Sequence, residues 1–298
     1  MPTYGELIDE VIGTLHGHTT DVPAVANLAG DVTASSTELA LEIDGSAWAG
    51  RPTGLVEIDD ELLMVSSYDA NTGIARVPAW GRGFRGTSAV SHDADSMVTI
   101  RPRYPRKQVG RAINAVVAAS CPPLYAARDL DPIETSAIVG LGFELPADTV
   151  RVLRVEATEL GLGDLAERRV LRDWTVRNVA GTQLLEIDQC ESFQTLQVTI
   201  AADPGVMSAQ SHDFATTTGL PEACSDLVVF GALARLVLGA DLARQQTSTV
   251  EAQARNDKAP PGSATTISRY YQALYTQRLE QEQSRLMQMY PLTLLRRG

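Results

Sequence analysis

Lysine is almost missing from this 298-residue chain: Lys107 and Lys258 are the only two, and arginine carries nearly all the positive charge. Asp and Glu outnumber Lys and Arg by 37 to 25, which leaves a formal net charge of -12. That balance excludes a protein whose main business is wrapping nucleic acid, because such a protein needs a basic face to displace counterions. The preference for arginine reads as the mark of a GC-rich genome and carries no functional weight. Cysteine is also scarce. Cys121, Cys190 and Cys224 are an odd number at wide spacing, so neither a zinc site nor a disulfide framework is expected, and the thiols should be reduced and partly buried. Of the four histidines, His16 and His18 in HGH lack a third ligand and read as a solvated turn. No run of eighteen or more apolar residues occurs, and the N-terminus lacks a basic-then-apolar signal, so a soluble product of a cytoplasm is expected.

Catalytic signatures are scarce too. Ser66, Ser91 and Ser211 stand in no GxSxG elbow, and the histidines show no pairing pattern. Gly161 to Ala166 fits a loose GxGxxA pattern with Glu186 behind it, but the next segment, Arg168 to Val176, reads as a strand and not a crossover helix, so a dinucleotide is not expected. The densest acid cluster is Glu57, Asp59, Asp60 and Glu61 around an Asp-Asp turn. Glycosidase carboxylates or a divalent-cation site would suit such a cluster, but a solvated hairpin tip fits it better. No catalytic residue, metal or cofactor is expected, and no enzyme.

What the chain does have is apolar content of 44%, ordinary for a globular protein. The run from Leu227 to Leu238 is apolar on every side and predicts a core helix, with Gly231, Ala232, Ala234, Gly239 and Ala240 leaving room for a close neighbour. Ile267, Tyr271, Leu274, Tyr275, Leu279, Leu286 and Met289 recur at helical spacing on a second helix, expected to pair with it in antiparallel fashion. Between the two, Gln246 to Thr266 is rich in Ser, Thr and Pro and reads as the most mobile stretch. Earlier helices are predicted over Tyr4 to Leu15, with Thr3 as N-cap, and over Tyr104 to Ala118.

From Asp31 to Arg101 the apolar period shortens to two. Leu39–Ile43, Gly54–Asp59, Glu61–Ser66, Ile74–Val77 and Ser96–Ile100 predict strands of an antiparallel β-domain. A second set follows at Ala137–Leu145, Val150–Ala157, Arg169–Val179, Leu184–Ile187 and Leu196–Ala201. The expected class is therefore α+β, with a helical body of about four helices carrying two inserted antiparallel β-regions. Its boundaries are 1–30 (first helix), 31–102 (β-domain), 103–125 (second helix), 126–205 (second β-region) and 206–298 (helix pair and tail). Within the first insertion, Gly81 to Thr87 carries Arg82, Phe84 and Arg85 on a glycine-rich loop, read as a structural loop or protein contact in preference to a phosphate cradle.

In its order of elements, and in three phrases, the chain resembles the head-to-tail connector, or adaptor, proteins of tailed bacteriophages. The phrases are Val56–Val65 (VEIDDELLMV), Arg82–His92 (RGFRGTSAVSH) and Ile100–Arg106 (IRPRYPR). Arg151–Val155 and Arg172–Trp174 are similar as well, and so are the C-terminal helices ending in Arg278–Glu282. The resemblance implies a virion structural protein of the neck, assembled in the host cytoplasm as a homo-oligomeric ring, twelvefold in the expected form. Its partners would be the portal and a tail or head-completion protein, and DNA would pass through its channel without sequence-specific binding. The tail residues Leu292, Leu294, Leu295, Arg296 and Arg297 would reach the portal, and Tyr270, Tyr275 and Arg285 suit a subunit interface because aromatic residues and arginine are favoured there. The alternatives are another tail or baseplate component, or a carbohydrate-binding or glycan-cleaving protein with Trp48, Trp80 or Trp174 in a groove.

Overall fold

The computed structural model describes residues 1–18, 23–42, 53–134, 142–158, 168–187, 195–245 and 263–291, without the side chains of 238–245 and 263–264. The chain divides into two compact units, Ile8–Ala112 and a second one made of Met1–Leu7 with Ile113–Gly298. The division runs through two helices, α1 (Tyr4–Gly17) and α2 (Arg106–Ser120).

The first unit holds a seven-stranded antiparallel sheet. Its strands are β1 (Ala24–Leu28), β2 (Glu38–Glu42), β3 (Gly54–Ile58), β4 (Glu61–Val65), β5 (Ser67–Asp69), β6 (Ile74–Arg76) and β7 (Met97–Ile100), in the spatial order β4-β3-β7-β1-β2-β6-β5. Alternation decides what faces the core: Leu39 and Leu41 of β2 are buried while Glu38, Ala40 and Glu42 are exposed. Val56, Ile58, Leu63, Val65, Val98 and Ile100 complete the same cluster.

The second unit carries two further antiparallel sheets. One consists of β8 (Ala126–Asp129), β9 (Ile133–Glu134), β11 (Thr149–Thr158), β12 (Arg168–Val170) and β15 (Thr195–Ala202), ordered β12-β11-β15-β8 with β9 also on β15. The other is β10 (Phe143–Glu144), β14 (Thr182–Ile187) and β13 (Trp174–Val179) in that order. Val152, Val155, Leu185, Leu196, Val198 and Ile200 build their shared core. At their far ends, β12 and β13 are the terminal strands of their sheets, and five of the six β13 residues are exposed.

Helices α3 (Phe214–Thr218), α4 (Ser225–Gln245) and α5 (Ser263–Met289) complete this unit. Asp213 caps α3 by accepting from the Thr216 N–H, and Gly219 ends it in the left-handed region. In α4, Leu227, Val228, Val229, Ala232, Leu233, Leu236 and Val237 are all buried, as its even apolar content requires. Its pairing with α5 is antiparallel: Ser268 donates to the Ala234 carbonyl at 2.9 Å, while Arg278, further along α5, donates to Asp226 near the start of α4 at 2.8 Å. The close approach falls at Gly231. A Cβ there would stand 2.6 Å from Val116 Cγ1 of α2 and 3.0 Å from Tyr275 of α5. Gly231→Leu is therefore expected to lower stability by about 1–3 kcal/mol through overpacking, despite leucine's better helix propensity. Urea denaturation of the variant checks this.

The helical body with two β-insertions is not what the chain builds. Three antiparallel sheets dominate the described residues, and each unit has an apolar cluster built on its sheets. Two physical features account for the difference. The apolar run of α4 is long and local, whereas the strands are short and bury their residues only through partners far away in sequence. β8 and β9 (AARD, IE) carry too few apolar residues to signal themselves, and β1 lies in what reads as the first helical segment.

Smaller expectations come out more sharply. Thr3 caps α1 reciprocally with Glu6, whose carboxylate accepts from the Thr3 N–H at 2.7 Å while Thr3 Oγ1 accepts from the Glu6 N–H. The run Arg169–Val179 is two strands in different sheets, β12 and β13, and not one. The Gly161–Ala166 pattern, Cys190, Trp48, the Gln246–Gly262 stretch and most of Ala137–Gly142 lie outside the described residues.

Candidate functional site

The most elaborately bonded place in the first unit is the β3–β4 hairpin and the loop that folds over it. Ile58 pairs with Glu61, so Asp59 and Asp60 form a two-residue turn, with Asp59 at φ 51° in the left-handed region that aspartate tolerates. Asp59 and Asp60 are exposed, as expected of a hairpin tip. Glu57 and Glu61 are not: they are 5% and 1% exposed. The acid cluster is thus half solvated and half buried, and the buried half needs partners.

Glu61 finds four, through five bonds. Arg82 docks side-on, Nε to Oε1 at 2.8 Å and Nη2 to Oε2 at 2.9 Å, and the Gly83 and Val90 N–H groups donate to the same carboxylate. The fifth bond is that of His92, whose Nε2 lies 2.9 Å from Glu61 Oε2 and whose Nδ1 lies 2.9 Å from Asp59 Oδ2. Burial alone would push the Glu61 carboxyl up, but the Arg82 bond, the Gly83 N–H, His92 and the Val90 N–H together hold it down at about 2. Arg82 spends its remaining donors on the backbone carbonyls of Thr33, Ser36 and Val90. A guanidinium so fully engaged, with its side chain 4% exposed, has nothing left to grip a phosphate or touch a partner. Its part is to hold the loop.

The loop is thereby fixed in detail. Two short 3-10 turns, Ala79–Gly81 and Phe84–Gly86, are separated by Gly83 in the left-handed region, where a Cβ would come within 2.8 Å of the Thr87 carbonyl oxygen. Thr87 ties the second turn down, accepting from the Leu62 N–H and donating to the Phe84 carbonyl. The pinned turns present Trp80, which is 66% exposed, with the Phe84 ring 6.3 Å away and the Arg85 guanidinium 5.9 Å from the Phe84 centroid. Of the three loop candidates, then, Phe84 and Arg85 share a surface and Arg82 lies beneath it. Trp80, noted in the sequence only as a candidate groove tryptophan, joins that surface.

Glu57 is buried on the other side of the same hairpin, where its Oε1 accepts from the Arg106 N–H at the start of α2, at 2.7 Å. It acts as a cap supplied from a distant strand. Arg106 in turn pairs with Asp9 of α1 and lies 3.5 Å from Asp60. Burial, only partly offset by the Arg106 N–H and charge, pushes the Glu57 carboxyl up to about 7.

In the second unit the candidates scatter. Tyr270 is 61% exposed and meets Tyr271 edge-on at 5.5 Å. Tyr275 instead turns inward against Gly231, and Arg285 is exposed and ion-paired with the buried Glu282 at 3.5 Å. Only Tyr270 and Arg285 therefore present themselves on the outside of α5. Leu292, Leu294, Leu295, Arg296 and Arg297 lie outside the described residues.

A groove of about 490 Å³ opens on the polar face of the five-stranded sheet, with Asp129, Asp131, Glu156 and Arg154 on its walls beside Leu130 and Tyr290. Its polar groups largely satisfy one another: Thr199 donates to Asp129 at 2.6 Å, Gln197 to the Leu130 carbonyl, and Arg154 pairs with Glu156. Among the described residues its one aromatic side chain is Tyr290, and no tryptophan lines it.

Chemically, these arrangements hold and position. His92 has no exposed surface and both ring nitrogens face carboxylates, so neither is presented to a substrate. The Cys121 thiol donates to Asp203 and is raised to about 11 by burial and that carboxylate, while burial pushes buried Cys224 up to about 12, so neither is poised as a nucleophile. Among the described residues no cluster of His, Cys, Asp and Glu is arranged to hold a metal ion, and no helix is long and apolar enough to cross a membrane. No protein-family model matches the chain, and no curated protein sequence is similar to it at a significant level.

Proposed function

We propose that the chain is a structural subunit of a phage head-to-tail adaptor, one copy in a ring that joins the portal to the tail around the path of the DNA. One observation carries this reading. The three phrases on which the resemblance rests, Val56–Val65, Arg82–His92 and Ile100–Arg106, meet at a single place. Glu61 of the first binds Arg82, Gly83, Val90 and His92 of the second, and Glu57 of the first caps Arg106 of the third. The shared residues are thus spent on fixing a loop and a helix start, and what they leave facing outward is an aromatic and cationic surface suited to another protein. An acidic subunit around a channel repels DNA, so the cargo slides and is not gripped.

Electron microscopy of the chain alone and mixed with the portal protein of its phage tests the reading; closed rings seated on the portal are expected, and a chain that neither forms rings nor attaches would sink it. Removing Pro291–Gly298 is expected to leave the melting temperature unchanged and abolish attachment, since on the adaptor reading Leu292, Leu294, Leu295, Arg296 and Arg297 contact the portal. Attachment of the truncated chain at full strength would take the portal-contact role away from those residues.

A further inference from the structure

We infer that Lys107 and Arg111 of α2, with Arg103 before them and Arg85 on the neighbouring loop, form a patch that touches the phosphate backbone of DNA. The inference rests on the adaptor reading, which brings DNA past the subunit, and adds where the two meet. Acids outnumber bases on this chain, and three cations of the first unit take carboxylates: Arg76 pairs with Glu38, Arg82 with Glu61, and Arg106 with Asp9 and Asp60. Among the described residues, Arg85, Arg103, Lys107 and Arg111 have no such partner. Arg85 and Arg103 lie over the rings of Phe84 and Tyr104, at 5.9 and 5.6 Å, and no carboxylate engages Lys107 or Arg111. Arg85, Lys107 and Arg111 are exposed.

These cations are gathered against the preferences of the helix that carries them. Lys107 and Arg111, four positions apart, share one face of α2 and repel each other. The first turn of α2 holds Arg106 and Lys107 and no acid, although the helix dipole favours anions there. Arg111 Nη2 stands 3.7 Å from where a Gly86 Cβ would be, which brings the loop carrying Arg85 against the same helix. No Asp or Glu occurs from Ser96 to Ala127 to neutralise the group. An external anion would relieve all of this repulsion at once. The exposed residues of the helix start, Lys107, Gln108 and Arg111, include no apolar side chain, so they lack the desolvated centre that a protein interface needs. A phosphate backbone needs none: cations and hydrogen-bond donors grip it, and Gln108 adds a donor. The net charge of -12 limits that grip. Charges beyond about 10 Å are screened at about 0.1 M salt, so a phosphate in contact feels the patch while the rest of the surface sheds DNA. A ring repeats the contact at every copy, and the weak touches add along the polymer.

Fluorescence anisotropy of a labelled DNA duplex titrated at low salt with the full chain, up to near-millimolar concentration, tests this. Weak binding is expected, equal for two unrelated sequences, with log K falling against log salt at a slope of about -3 to -4. Lys107→Gln and Arg111→Gln should each weaken binding severalfold and make the slope shallower by about 1, with no fall in melting temperature. Lys107→Glu combined with Arg111→Glu should abolish it. No binding by wild type, an unchanged slope in either glutamine variant, polyglutamate bound as tightly as the duplex, or displacement of the duplex by inorganic phosphate at equal ionic strength would each overturn the inference. Its failure is separable from that of the adaptor reading: rings seated on the portal by a chain that binds no duplex would remove the patch and leave the adaptor standing. Duplex binding with the expected slopes by a chain that forms no rings would do the reverse.

Discussion

Glu61→Ala is expected to lower the free energy of unfolding by about 3–5 kcal/mol, the range for removing one member of a buried ion pair while the other charge stays buried. Four groups lose their acceptor at once: the Arg82 guanidinium, the Gly83 and Val90 N–H groups and His92 Nε2. None of them can turn to water without unfolding the loop, since Arg82 and His92 side chains are 4% and 0% exposed. Urea denaturation measures the loss. Glu61→Ala with Arg82→Met should lose less than the two single variants add up to, because the second change takes away the orphaned charge. Strictly additive losses would show that the five bonds do not act as one network. The acid limb has a definite sign. With its folded carboxyl held at about 2 against an ordinary 4.5, Glu61 contributes stability that is present above about pH 4.5 and lost as pH falls toward 2.

Glu57, four residues earlier on the same hairpin, behaves in the opposite way. Its carboxyl is raised to about 7, so the folded state favours the protonated form. The contribution is complete below the unfolded value near 4.5 and is lost as pH rises through about 7. Since a tenfold change in proton affinity corresponds to about 1.4 kcal/mol, the loss across that window is about 3 kcal/mol. Glu57→Gln keeps an oxygen for the Arg106 N–H and removes the charge. It is expected to be more stable than wild type at pH 8, by up to about 3 kcal/mol, and to converge on it near pH 4.5. Thermal melts of both proteins between pH 4.5 and 8 decide the matter; parallel pH profiles would show that Glu57 does not titrate in this window.

The sequence made some of this legible and hid the rest for physical reasons. Helices α1, α2, α4 and α5 announce themselves by period and caps, and most strands of the first sheet fall within a residue or two of their alternating runs. Local signals suffice there. The balance of the fold is harder to read because β1, β8 and β9 owe their existence to neighbours far along the chain, with too little alternation of their own. The hairpin acids show the same limit at the site. A turn of two aspartates flanked by glutamates reads as solvated, and for Asp59 and Asp60 it is. Nothing close to Glu61 in the chain reveals that Arg82 and His92, 21 and 31 positions later, fold back onto it. A weak clue existed: Glu57 and Glu61 alternate in among Val56, Ile58, Leu62 and Leu63, and a carboxylate inside so apolar a pair of strands demands a distant cation or donor.

The outer strands of the second unit bear on how the protein avoids aggregation. At the rims of their sheets, β12 and β13 offer a ladder that another extended chain can zip onto, and β13 is bare along nearly its whole length. Arg168 and Arg169 on one rim and Arg177 on the other place guanidinium groups where a stray strand would have to lie. At such rims the guanidinium groups would deter amyloid-like stacking of one copy on another.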